Sequence, residues 1–181
     1  ESNGDNANHS FVTAGTDDAF SVGAWVMLTE AVGTARSIVA KYRTDAVAAR
    51  EFDFRIDTSA FLELELYDES ATATEIGTGA TALTPYIWQF VVATYDGGET
   101  SPVVRLYLNA VDTNSSGATT ETGSYVSMED LTAPLTVAAR NITSAPAQEW
   151  NGRLALPFLT GVELTGAQVS TLYGIGRRLL G

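Results

Sequence analysis

Residues 50–68 read REFDFRIDTSAFLELELYD, and their alternation decides the fold. Phe52, Phe54 and Ile56 fall on one side of an extended chain, while Glu51, Asp53, Arg55 and Asp57 fall on the other. Leu62, Leu64 and Leu66 repeat the pattern, with Glu63 and Glu65 between them. Only residues 58–60 separate the two runs, which predicts a hairpin. Its inner face is apolar. Its outer face carries Glu51, Asp53, Arg55 and Asp57 beside Glu63 and Glu65, and reads as solvated. One apolar face needs a second layer to cover it, so the chain reads as layered β-structure.

The neighbouring segments agree. In FSVGAWVML, residues 20–28, both alternating sets are largely apolar, the mark of a strand buried on two sides. RSIVAKY, QFVVATYDGG, VVRLYLNA, PLTVAAR and WNGRLALPFLTG read as further strands. Asp96, Gly97 and Gly98 supply a turn. Pro157 places the last strand at an edge or in a bulge, because proline cannot donate to a ladder. Residues 69–84 read as loop with a short strand, and residues 112–124 as loop. Thr165 caps a short helix through Gln168, Val169, Leu172 and Tyr173, which Gly174 and Gly176 are expected to stop. The predicted fold is all-β: a two-sheet antiparallel β-sandwich (jelly roll) with one short helix near the C-terminus. A polar arm, residues 1–10, precedes a single domain, residues 11–181.

Composition narrows the function classes. Net charge is -12, a field that repels phosphate backbones and anionic lipid, so neither nucleic acid nor membrane insertion is expected. There is no cysteine, and His9 is the one histidine, lying in the polar arm. Thiol chemistry, a histidine-based triad and a zinc-hydrolase site are thereby disfavoured.

The order of the pieces carries a resemblance. FSVGAWVML, SIVAKY, WQFVVATYDGG with VRLYLNAV, then PLTVAAR, WNGRLA and ELTGAQVSTLY, resemble the laminin-G-like, concanavalin A-like lectin/glucanase jelly rolls in their pentraxin-type branch. The likeness runs from about Phe11 to Tyr173. It implies that Trp25, Trp88, Tyr95 and Tyr107 bury their rings between the sheets. The chain departs from the family where Ala155 and Leu156 replace an acidic pair and where Asn109 is followed by Ala110 instead of glycine.

Three functions follow as expectations. The first is a non-catalytic lectin-like or adhesion module that binds a glycan or protein surface within a larger, multimeric assembly that is extracellular or lies on a cell or virion surface. Asp53, Arg55, Glu63 and Glu65 are its candidate binding residues. The second is a phage virion component such as a decoration, fibre or tail module, suited by the polar arm and the absence of cysteine. The third is a glycoside hydrolase using Glu63 and Glu65, with Asp68 joining through a bulge. That pattern, Glu-x-Glu-x-x-Asp, swaps the residue types of related glycanases, and no aromatic platform is evident beside it. The resemblance also implies Ca²⁺ at the rim, for which Asp17 and Asp18 are the candidates, helped by Asp45 or Asn141; exposed turn acids are the plain alternative.

Overall fold

The computed structural model describes residues 9–31, 33–45, 48–99, 101–142 and 145–180. The predicted arm therefore lies, up to Asn8, outside the described residues. In chain order the elements are β1 (Val12–Thr13), β2 (Thr16–Asp17), β3 (Phe20–Leu28), β4 (Arg36–Arg43), β5 (Ala49–Ile56), β6 (Phe61–Asp68), β7 (Ala73–Ala82), β8 (Gln89–Tyr95), β9 (Val104–Leu108), β10 (Val111–Asp112), β11 (Thr119–Thr122), β12 (Leu135–Val137), β13 (Arg140–Ile142), β14 (Ala145–Ala147), β15 (Gly152–Thr160) and α1 (Gly166–Leu180).

Two antiparallel sheets face each other. One has the order β10-β9-β8-β3-β15, the other β11-β7-β6-β5-β4-β12. The quoted hairpin is β5–β6, with Asp53 opposite Glu65 and Arg55 opposite Glu63. Asp57 closes it by accepting the Ser59 and Phe61 amides on Oδ1 at 2.7 and 2.9 Å, so it serves the turn rather than an outer face. Between the sheets, Phe52, Phe54, Ile56, Leu62, Leu64 and Leu66 are fully buried against Phe20, Val22, Val26, Tyr95 and Leu106. Phe11 stacks on Phe20 at 4.5 Å and anchors the chain entry to that core. Each such large apolar side chain contributes roughly 1.5–3 kcal/mol on burial.

Several sequence expectations change. Residues 73–82 form a ten-residue strand, β11 lies within the expected 112–124 loop, and β10 ends on the first residue of that loop. The alanines, threonines and glycines of β7 carry weak local strand signals, and pairing on both edges overrides them. Trp25 and Tyr107 lie not between the sheets but on the far side of the five-stranded sheet, with Phe90, Val92 and Val169; Trp88 packs against that same cluster. Only Tyr95 of the four expected aromatics is in the inter-sheet core. The helix does not stop at its glycines. It runs through both, and Gly176 is required because a β-carbon there would collide with the Trp25 indole. Thr165 does cap it: the Thr165 amide donates to Gln168 Oε1 at 2.8 Å, and the Gln168 amide donates back to Thr165 Oγ1 at 3.4 Å.

Pro157 has both expected features. β15 is an edge strand, and its register against β3 shifts between Ala155 and Phe158. The other three edges, β10, β11 and β12, are two to four residues long. Among the described residues no helix is long and apolar enough to cross a membrane.

Candidate functional site

Three of the four predicted binding residues meet on the outer face of the six-stranded sheet, over a buried fourth. Arg55 is the link. Its Nε donates to Glu63 Oε2 at 2.9 Å and its Nη1 to Glu65 Oε2, while Asp53 Oδ2 lies 3.8 Å from Nη1. β-Pairing explains the arrangement, since Arg55 sits directly opposite Glu63 and one same-face step from Glu65. Arg55, Glu63 and Glu65 keep small exposed side-chain fractions, whereas Asp53 has none.

Asp53 is the floor of the site. Ser37 Oγ donates to its Oδ2 at 3.1 Å, and Arg140 Nη1 donates to the same oxygen at 3.2 Å. Asp53 Oδ1 is buried without a hydrogen-bond partner. Burial pushes the Asp53 carboxyl above the usual carboxylate range, against the opposing pull of Arg55, Arg140 and Ser37.

Two tyrosines complete the cluster. Tyr42 and Tyr67 meet edge to face at 5.4 Å, and the Tyr67 hydroxyl donates to Glu65 Oε2. The Arg140 guanidinium lies 4.5 Å from the centre of the Tyr42 ring, and that of Arg50 lies 4.9 Å from Tyr67. Burial, then the Glu65 charge, raises the Tyr67 phenol well above its usual value. The expectation that no aromatic stands beside the glutamates is corrected, but both rings are buried beneath guanidiniums rather than open as platforms.

The solvated outer face predicted from the alternation is also corrected. Glu51 and Asp53 are almost wholly buried, and Glu65 is only 8% exposed. At Glu51 the β4–β5 register slips, leaving it without a ladder partner. Its Oε1 accepts from Lys41 Nζ at 2.6 Å and from the Leu131 amide at 2.9 Å, while Lys41 Nζ also donates to the Leu131 carbonyl at 2.5 Å. Burial pushes the Glu51 carboxyl up to about 7 despite Lys41. Alternation reports which residues are polar. It does not report that a later loop folds over them.

Arg140, Ser37, Tyr42 and Tyr67 were missed. Tyr67 follows Glu65 at the same-face spacing of two and was open to discovery from the pattern. Arg140 comes from the other end of the chain, where no local signal marks it.

Asp68 does not join Glu63 and Glu65. It continues the Leu62–Leu64–Leu66 side of β6, with unbroken register against β7. Its Oδ1 accepts from Ser70 Oγ and the Ala71 amide, and its Oδ2 from the Val126 amide.

The rim candidates are placed as follows. Asp17 is buried; its Oδ2 accepts the Tyr95 and Tyr125 hydroxyls at 2.7 and 2.6 Å, and its Oδ1 accepts the Met128 amide at 2.8 Å. Burial raises its carboxyl above the usual range, with those donors pulling the other way. Asp18 accepts from Thr13 Oγ1 at 2.6 Å. Asp45 pairs with Arg43, and Asn141 lies in β13. Among the described residues, no three His, Asp or Glu side chains are grouped to hold a metal ion.

The fold and its order of strands now have a counterpart among known proteins. A laminin G family model described as concanavalin A-like lectin/glucanases superfamily matches residues 1–170. The chain belongs to that superfamily. A search of curated protein sequences found no match. Among solved structures it is similar to the CBM40 of Ruminococcus gnavus IT-sialidase bound to alpha2,3 sialyllactose. That match has a TM-score of 0.68 and 10% identity, over 87% of this chain and 83% of the other. A SAP-like pentraxin from Limulus polyphemus matches with a TM-score of 0.57 and 16% identity, over 88% and 73%. Trypanosoma rangeli sialidase in complex with sialic acid matches with 0.58 and 14%, over 91% of this chain but only 24% of the enzyme. These identities speak for the fold.

Proposed function

We propose that the chain is a non-catalytic carbohydrate-binding module, and that glycans dock on the outer face of the six-stranded sheet over Arg55, Glu63, Glu65 and Arg140. The observation that carries this reading is the Arg55 network. Sugar hydroxyls both donate and accept, and a recognition surface for them needs donors and acceptors fixed side by side. Here a guanidinium and two carboxylates are locked in one plane of the sheet by mutual hydrogen bonds, with Arg140 above Asp53 alongside. Two of the similar structures are described as bound to a sialylated sugar or sialic acid, which favours a glycan over a protein surface as the ligand.

Hydrolysis is the weaker use of the same residues. Retaining cleavage needs one carboxyl free to donate a proton and another free to attack. Glu63 and Glu65 both accept from Arg55, and Glu65 accepts from Tyr67 as well, so both act as fixed acceptors. A place on an extracellular or particle surface belongs to the proposal.

The test is a glycan array probed with the full chain, with and without calcium, followed by titration of any hit against Arg55→Lys. Lysine keeps the charge but loses the two-pronged geometry, so affinity should fall about tenfold, the worth of one charge-assisted contact. No glycan binding in either condition, or an unchanged affinity in Arg55→Lys, would remove this reading. The calcium arm decides whether a metal takes part.

A further inference from the structure

An apolar cavity of about 430 Å³ lies on the opposite side of the sandwich from Arg55, between α1 and the edge strand β15. Trp25, Phe90 and Phe158 line it from the sheet, Leu172 and Ile175 from the helix, and Leu156 from the bulge. Among the described residues, Thr160 carries the one hydroxyl of the lining. The bulge opens the space. Pro157 cannot donate to a ladder, the β3–β15 register slips between Ala155 and Phe158, and Leu156 takes a φ of 50°. Leu156 is left 48% exposed and Ile175 44% exposed at the rim, with Leu179 one helical turn further on. A space of this size and lining holds an organic ligand in preference to water. It follows β15 from Leu156 to Thr160, about 13 Å of extended chain, so it is long rather than round. An apolar cavity of about 150 Å³ takes one benzene, so this one suits an alkyl chain of roughly ten carbons.

Charge selects the head group. Arg153, Arg177 and Arg178 are exposed and take part in no ion pair among the described residues. Every other lysine and arginine of the chain pairs with a carboxylate. The three without such a partner all belong to the two elements that bound the cavity. Arg153 is on the α1 side of β15, because it stands two residues before Ala155, which packs with the Trp25 cluster beneath the helix. Arg178 is the i+3 neighbour of Ile175 at the rim, and Arg177 lies 5.7 Å from the centre of the Tyr173 ring. Gly176 lies over Trp25, and Ala155 is the strand partner of Trp25, so the start of β15 and the end of α1 share one end of the cavity. Glu163, the one carboxylate of residues 152–180, belongs to the connection at the other end.

We infer that this cavity binds a monomeric, medium-chain aliphatic carboxylate, its alkyl chain lying along β15 and its head group among Arg153, Arg177 and Arg178. A guanidinium matches a carboxylate through two parallel N–H bonds. A single carboxylate is drawn by these local arginines, whereas an anionic bilayer meets the net charge of -12, which repels it. The inference is independent of the glycan reading, whose residues lie on the other face of the sandwich.

The experiment is an NMR titration of the full, isotopically labelled chain, each probe kept below its micelle concentration. The readouts are the Trp25 indole N–H and the methyl groups of Leu156 and Ile175. The probes are sodium hexanoate, octanoate and decanoate, and decyltrimethylammonium bromide. Decanoate should shift these signals, and affinity should rise about tenfold for each two methylenes added, as burial of alkyl surface requires. The cationic probe should bind more weakly, although the net charge of the chain favours it. The double variant Arg153→Gln/Arg178→Gln, at exposed positions, should weaken decanoate about tenfold, as expected for loss of a charge-assisted contact. Ile175→Trp, which fills the rim, should weaken every probe. The inference is overturned if decanoate leaves these signals in place, if hexanoate binds as tightly as decanoate, if the cationic probe binds more tightly, or if either variant binds decanoate unchanged. Co-sedimentation of the chain with phosphatidylglycerol vesicles would also overturn it, since the surface would then be one for membranes.

Discussion

Above the five-stranded sheet, α1 lies across Trp25, Phe90 and Val92 and packs on them with Val169, Leu172 and Tyr173, beside an apolar cavity of about 430 Å³ that reaches Leu156, Phe158 and Ile175. Trp25 stacks on Tyr173 at 5.6 Å, and Gly176 lets the helix backbone approach the indole. Above the six-stranded sheet the residues are Asp53, Arg55, Glu63, Glu65 and Tyr67, tied to one another and to Arg140. The first face excludes water with shape and apolar area. The second satisfies charge with charge and leaves part of the network open to solvent. Shape complementarity is undone by any added atom, whereas a charge network is undone by any missing partner. The first face contributes stability by packing, the second by pairing charges, and the proposed glycan recognition belongs to the second.

The largest expected effect tests the rule of the missing partner at the buried Lys41–Glu51 pair. Lys41→Met should cost about 3–5 kcal/mol above about pH 8, where Glu51 is a carboxylate and is left buried without its cation. Urea denaturation measures the loss, and the double variant Lys41→Met/Glu51→Leu should recover most of it. Loss of equal size in the double variant would mean that packing, not charge, dominates there.

The two helix glycines give the next contrast. Gly176→Ala should destabilise by about 1–3 kcal/mol through overpacking against Trp25. Gly174 has open space where a β-carbon would go, so Gly174→Ala should stabilise by about 0.5–1 kcal/mol through helix propensity. Equal outcomes in thermal or urea unfolding would refute the close approach of α1 to the sheet.

Acid should act on the charged side of the molecule in a direction opposite to common experience. Asp17, Glu51, Asp53 and Glu75 all have carboxyls raised by burial, Glu51 to about 7. A raised value in the folded state means that the native protein takes up protons before the unfolded chain does. The resulting stability is full below the unfolded values and is lost as pH rises through the folded ones. Asp68 has the opposite sign, because hydrogen bonds from the Ala71 amide and Ser70 hydroxyl, among others, outweigh its burial. Its contribution is lost only as pH falls below the unfolded value. Melting temperature should therefore rise from about pH 8 to about pH 5, and Glu51→Gln should flatten the upper part of that rise. A melting temperature that falls steadily on acidification would contradict the burial of these groups.

A local effect of about the size of Gly174→Ala concerns the β9–β10 turn beside the dry face. Asn109 and Ala110 have φ of 53° and 66°, the left-handed pair of a tight hairpin, where relatives were expected to place glycine second. Ala110→Gly should stabilise by about 1 kcal/mol, read from urea midpoints, through relief of the left-handed alanine.

Much of the fold was legible because it rests on local alternation. Phe52, Phe54, Ile56 and the three leucines announced their face, and Pro157 announced its edge. The helix was cut short because glycine reads locally as a stop, while Gly176 answers to Trp25, some 150 residues earlier. Of the site, the hairpin residues were legible together with their cross-strand partners. Arg140 and the cover provided by the Leu131 segment were not, since both arrive through contacts distant in sequence.

The edges of the sandwich bear on life at high local concentration. Three are too short to extend, and the fourth, β15, lacks a donor at Pro157 and turns Leu156 into the left-handed region. A neighbouring copy finds no continuous ladder on which to zip a strand. Crowded or tandem modules of this kind can therefore touch through side chains and separate again, keeping their individual cores instead of fusing into a shared sheet.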